Sequence, residues 1–187
     1  MPDRYYSSRR YGRMKIRIKE CVGNSRIYGE DGSMAGTIEG WPKNGPAREI
    51  CGTDGNVLYR VRKEKGGCLI ENRTKPQIKQ EVPISFQYEE RAENSGSGKG
   101  YGAAVLFRAP LAVKAVIPLA AGDVMVRQNR KREIVLEDQN GRIGRITQIA
   151  SLTGHEVEWE KTLDVYEAAV VFVVAEYMYH DDDIDVV

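Results

Sequence analysis

The chain has 187 residues, of which 41% are hydrophobic and 29% charged, and its formal net charge is +1. This composition is typical of a folded globular protein, and the length suits one well-buried domain. The near-neutral total gives no global attraction to nucleic acid, so the sequence carries no strong signal for a nucleic-acid partner. The charge is unevenly distributed, with a basic N-terminal arm at 1–13 and an acidic tail at 181–187.

The N-terminal arm lacks the apolar core that a secretory signal requires, so we expect a cytoplasmic location. Three cysteines, Cys21, Cys51 and Cys68, are widely spaced and form no Cys-x-x-Cys pair, and the chain contains two histidines. This pattern predicts reduced thiols rather than a zinc site. We therefore predict neither a metal nor a cofactor.

Hairpin patterns recur along the chain after the arm. Residues 14–19 alternate strictly between apolar and basic side chains, which predicts a strand with one basic face. Residues 27–38, 50–61 and 134–146 each place an Asp-Gly or Asn-Gly turn between two short apolar runs. Such turns favour antiparallel hairpins. Together with shorter alternating segments, they predict a mainly antiparallel sheet of about twelve strands.

The segment 164–179 is apolar on every side and differs from everything before it. Asp164 and Glu167 have the spacing of a capping box, which predicts a helix over about 163–179. Its valines leave a central β-strand as an alternative. A membrane span is a second alternative, although the uninterrupted apolar run 168–175 is far shorter than the roughly 20 residues that a bilayer needs. We predict one mainly β domain over 14–180, a closed antiparallel barrel around this buried hydrophobic C-terminal helix.

The repeated Asp-Gly hairpins, of which residues 28–32 form one, and the apolar C-terminal helix together resemble the tubby C-terminal-like superfamily. That superfamily includes the phospholipid scramblases and the LURP-one-related proteins. The resemblance covers about 14–179 and implies a closed barrel of about twelve strands threaded by a hydrophobic helix. It assigns no binding residue to a position of this chain.

Two groups of basic residues are candidate anion sites. Lys15 and Arg17 share the basic face of the first strand, and Arg127, Arg130, Lys131 and Arg132 lie at a predicted turn. Consecutive cations on a loop converge on one phosphate more readily than cations along a strand. The turn cluster is therefore the preferred lipid-binding or anion-binding candidate, and a solvated surface is the alternative for both groups.

No set of residues predicts catalysis. The glycine-rich segment 96–102 lacks the Ser or Thr that follows the Gly-Lys pair of a P-loop. We therefore expect a non-catalytic binding protein that associates with anionic phospholipid headgroups at the cytoplasmic membrane surface. The alternative is a protein–protein interaction or structural module without a lipid ligand.

Overall fold

The structure is a computed structural model that describes residues 12–40, 46–75, 80–89, 111–148, 154–160 and 163–181. Most of the basic arm, the glycine-rich segment 96–102 and the acidic tail beyond residue 181 lie outside these ranges. The described residues form thirteen strands followed by one helix.

The strands are short and twelve of them contain five to eight residues, as expected for antiparallel sheets. They are β1 Met14–Cys21, β2 Asn24–Tyr28, β3 Met34–Glu39, β4 Ala47–Gly52, β5 Val57–Glu64, β6 Gly67–Asn72, β7 Gln80–Ser85, β8 Gln87–Tyr88, β9 Ala112–Leu119, β10 Gly122–Gln128, β11 Ile134–Asp138, β12 Gly141–Gln148 and β13 Gly154–Trp159. The helix α1 spans Val165–Tyr179.

All thirteen strands belong to one antiparallel sheet with the order β7-β6-β5-β4-β3-β2-β1-β13-β12-β11-β10-β9-β8. Strands that are consecutive in sequence therefore pair with each other, except β7 and β8, which lie at the two ends of this order. The pairing of β1 with β13 joins the two halves of the sheet. The sheet curls until β7 lies alongside β9, so the barrel is nearly closed. The predicted mainly β barrel is confirmed, with thirteen strands among the described residues instead of about twelve.

The Asp-Gly turns have the conformation that their sequence predicts. Gly32 and Gly55 both have a φ of +79°, which glycine adopts at little cost. In each turn the Asp before this glycine accepts a hydrogen bond from the backbone N–H two residues further on. Local chemistry is therefore sufficient to specify these two hairpins.

The helix α1 fills the barrel. Every residue from Glu167 to Met178 is buried, which only an interior helix allows. Asp164 accepts hydrogen bonds from the N–H groups of Tyr166 and Glu167, and Glu167 completes the predicted capping box. The helix is therefore confirmed, and the strand alternative is wrong.

The inner surface of the sheet covers the helix with branched apolar side chains. Ile16, Ile18, Val124, Val126 and Val157 come from both halves of the sheet, and each is at most 1% exposed. Such burial stabilises the fold by about 1.5–3 kcal/mol for each large side chain.

Among the described residues, no helix combines the length and the apolar content that crossing a bilayer requires.

Candidate anion site at one end of the barrel

The β10–β11 hairpin repeats the five-residue turn of the Asp-Gly hairpins with a different sequence. The N–H of Arg132 donates to the carbonyl of Asn129, as the N–H of Gly32 donates to the carbonyl of Gly29. Arg132 has a φ of +63°, whereas glycine occupies the corresponding position in two other turns. A non-glycine residue pays for this conformation, so the backbone of Arg132 is strained.

Contacts on the cavity side of this hairpin hold the Arg132 side chain. Its guanidinium donates a 2.6 Å hydrogen bond to the carbonyl of Tyr179, the last residue of α1. The same group lies 4.8 Å from the centre of the Tyr179 ring, which is within the range of a cation–π interaction. A cation also interacts favourably with the negative end of the helix dipole. These contacts offset part of the backbone strain.

The structure separates the four basic residues of the turn cluster into two kinds. Arg127 pairs with Glu137 at 3.1 Å, and Arg130 pairs with Glu89 at 2.5 Å, and the side chains of both arginines are exposed. Lys131 and Arg132 instead line a cavity of about 350 Å³ at the end of the barrel. Of the four basic residues of the turn cluster, Lys131 and Arg132 therefore line this cavity, and Arg127 and Arg130 do not.

The cavity extends from the protein surface to the helix. Its walls come from β1, the β10–β11 hairpin, β12, β13 and the last two turns of α1. The lining residues are Glu20, Lys131, Arg132, Ile134, Ile146, Gln148, His155, Phe172, Ala175, Glu176, Tyr179 and His180. Two cations and two imidazoles thus share the cavity with two carboxylates.

The basic face of β1 lies against an acidic strand. Lys15 contacts Glu156 at 2.9 Å and Glu158 at 3.2 Å, and Arg17 contacts Glu156 at 3.4 Å. The hydrogen bond to Glu156, followed by the one to Glu158, raises the pKa of Lys15. Neither Lys15 nor Arg17 lines the barrel-end cavity. The structure therefore does not bring these two candidate residues together with the turn cluster.

The interior of the barrel contains charged residues that the sequence analysis missed. Arg48 is completely buried, and its guanidinium contacts the carboxylate of Glu176 on α1 and the hydroxyl of Ser25. Burial lowers the pKa of Arg48 to about 10, so the side chain is still protonated at neutral pH. The sequence does contain an indication that Arg48 is buried. Alternate residues of a strand face the same side, and Arg48 lies two residues before the buried Ile50 on β4.

A second cavity of about 310 Å³ lies on the outer surface. Arg13, Arg142 and Arg145 line it together with Glu158 and Glu160. Arg13 pairs with Glu160 and Arg145 pairs with Glu158, both through side chains that solvent reaches. We place the candidate site at the barrel end because that cavity reaches buried residues of the helix and this one does not.

No protein-family model matches the chain, and no curated protein matches it. Its fold is similar to the X-ray structure of a protein from Arabidopsis thaliana, with 10% sequence identity and a TM-score of 0.46. The alignment covers 91% of this chain and 91% of the other. The comparison concerns the fold alone.

Proposed function

We propose that this chain is a non-catalytic binding protein that holds an anionic phospholipid headgroup at the cytoplasmic membrane surface. Lys131 and Arg132 are the residues that contact the headgroup. The proposal rests on the strained backbone of Arg132, which keeps an arginine beside the cavity in a position where two other hairpins have glycine. Backbone strain of this kind is concentrated at functional sites.

The kinship suggested by the sequence is part of the same proposal. A barrel that surrounds a hydrophobic C-terminal helix is the architecture that the resemblance to the tubby C-terminal-like superfamily implies. We propose a distant relationship to that superfamily and a peripheral association with the membrane, without an inserted segment.

Vesicle flotation tests the headgroup contact. Vesicles of phosphatidylcholine alone are compared with vesicles that also contain phosphatidylserine, and we expect binding only to the anionic vesicles and less binding at high salt. The variant Lys131→Gln should bind about fivefold more weakly, because one basic residue near an anionic surface contributes about 1 kcal/mol. Arg17→Gln is the matched control and should bind as the unmodified chain does, since Arg17 lies outside the cavity and pairs with Glu156.

Two results would contradict the proposal. The first is equal or absent binding to the two kinds of vesicle, which would favour a protein–protein interaction module instead. The second is an equal loss of binding in Lys131→Gln and Arg17→Gln, which would indicate attraction by the whole surface and not by the barrel-end cavity.

A further inference from the structure

Three side chains with metal-binding atoms converge inside the barrel-end cavity. Glu20, His155 and Glu176 each offer one such atom, and the three atoms all lie within 4.8 Å of one another. Nδ1 of His155 is 3.5 Å from Oε1 of Glu20. Two ligands of a tetrahedral zinc ion lie about 3.3–3.4 Å apart when each bond is about 2.0–2.1 Å long. The spacing of this pair therefore fits a shared metal ion.

The sheet register places two of these side chains next to each other. Glu20 continues the inward-facing series of Ile16 and Ile18 on β1, and His155 belongs to the inward-facing series of β13. The backbone of His155 pairs with that of Ile18. Two rigid, paired strands thus position Glu20 and His155, which is a more accurate support for a site than a loop provides.

Glu176 reaches the same point from the helix. It is 7% exposed, and buried Arg48 contacts its Oε2 atom. Carboxylates that bind metals are commonly oriented in this way by a second hydrogen-bonding group. A carboxylate has two oxygens, so an arginine on one of them is compatible with a metal on the other. Arg48 is in turn held by the hydroxyl of Ser25 at 3.4 Å.

The charges of these groups leave room for a cation. The two glutamates carry two negative charges, and Arg48 carries one positive charge. A divalent cation between Glu20 and Glu176 would be attracted by both carboxylates. Lys131 and Arg132 at the outer part of the cavity oppose the cation, and an anion on the metal would in turn be attracted to them.

We infer that Glu20, His155 and Glu176 form a binding site for a divalent transition metal of the zinc type. One imidazole and two carboxylates suit zinc, manganese or iron, whereas calcium takes oxygen ligands alone. Three protein ligands beside a cavity leave a coordination position open for water or another small ligand. The inference does not rest on the proposed headgroup contact.

Titration of the full chain with Co²⁺ and Zn²⁺ tests the site. Cys21 is exposed and follows Glu20 directly, so every variant also carries Cys21→Ser to remove a competing thiolate. We expect one metal per chain, the visible absorption of Co²⁺ bound to nitrogen and oxygen ligands, and a higher melting temperature with Zn²⁺. Glu20→Gln and His155→Gln should each weaken binding at least about tenfold.

Two controls separate this site from other metal-binding groups. Glu156→Gln removes a carboxylate one residue from His155 on the outer face of β13, and His180→Gln removes the other histidine of the cavity. Both variants should bind metal as the parent does. Absence of stoichiometric binding would overturn the inference, and so would binding that persists unchanged in Glu20→Gln and His155→Gln. If the unmodified chain binds metal but does not bind anionic vesicles, the proposed function is contradicted and the metal site is not.

Discussion

Arg132 shows how one residue links the fold to the candidate site. Its φ of +63° is a conformation that glycine adopts freely and that costs other residues about 1–2 kcal/mol. The hydrogen bond to Tyr179 and the contact with the Tyr179 ring return part of that cost. The arginine therefore stays beside the cavity at some expense to the stability of the turn.

Two substitutions at this position separate backbone strain from side-chain contact. Arg132→Gly and Arg132→Ala both lose the contacts with Tyr179, but only glycine relieves the strain. We expect Arg132→Gly to be more stable than Arg132→Ala by about 1 kcal/mol in urea denaturation. Gly55→Ala, at the equivalent turn position, should destabilise by a similar amount. Equal stability of the two Arg132 variants would contradict this, because it would show that alanine at position 132 does not strain the backbone of the turn.

The Arg48–Glu176 pair is the other residue-scale feature, because charges are rarely buried so deeply. The side chain of Arg48 is 0% exposed and that of Glu176 is 8% exposed. A buried ion pair contributes little net stability over an apolar pair of similar volume, yet removing one partner leaves an uncompensated charge. The pair therefore adds little to the stability of the core, but it holds the carboxylate of Glu176 in place at the candidate metal site.

Breaking this pair should be far more harmful than replacing it. We expect Glu176→Leu to lower the free energy of unfolding by about 3–5 kcal/mol, and Glu176→Leu combined with Arg48→Met to recover most of that loss. Urea denaturation in the presence of a chelator measures both without a contribution from bound metal. Arg13→Ala, which breaks the exposed pair with Glu160, should cost less than about 1 kcal/mol. Equal costs for Glu176→Leu and the double variant would indicate that Arg48 does not need its partner.

At the scale of elements, the basic strand β1 and the acidic strand β13 form the junction between the two halves of the sheet. Lys15 bridges Glu156 and Glu158, and Arg145 of β12 also pairs with Glu158. The hydrogen bond from Arg145, followed by the one from Lys15, lowers the pKa of Glu158. On the outer face of the barrel, the basic side chains of β1 thus pair with the acidic side chains of β13. The inner faces of the same two strands enclose the helix.

Alternation along these strands explains which parts of the site could be predicted. The basic face of β1 was readable because Lys15 and Arg17 alternate with isoleucines. Its acidic partner was not, because β13 is far away in sequence and the pairing is a tertiary choice. The same alternation places Glu20 on the inner face, but a single polar residue at the end of a strand gives no indication of what it meets.

At the scale of the molecule, the helix α1 forms the centre of the hydrophobic core, and the single curved sheet packs around it. Removing it would take away five large buried side chains, those of Val170, Val171, Phe172, Val173 and Val174, and empty the barrel. At about 1.5–3 kcal/mol for each, this loss is comparable to the whole stability of a typical domain, about 5–15 kcal/mol.

A chain that lacks residues 162–187 should therefore not fold. We expect no cooperative thermal transition and little dispersion of amide signals in its NMR spectrum. A chain that lacks only residues 182–187 keeps the helix and is the matched control, which should melt as the full chain does. A truncated chain without the helix that still melts cooperatively would contradict the view that the barrel needs its interior helix.

The sequence by itself determined the kinds of element and the burial of the last one, because these depend on local patterns. Period-two alternation, Asp-Gly turns and an apolar run with a capping box act within a few residues of chain. Tertiary structure decided which cations line the barrel-end cavity, and it decided that Glu20, His155 and Glu176 meet. Those outcomes depend on the register of β1 against β13 and on the rotation of the helix inside the barrel, and neither is encoded by neighbours in sequence.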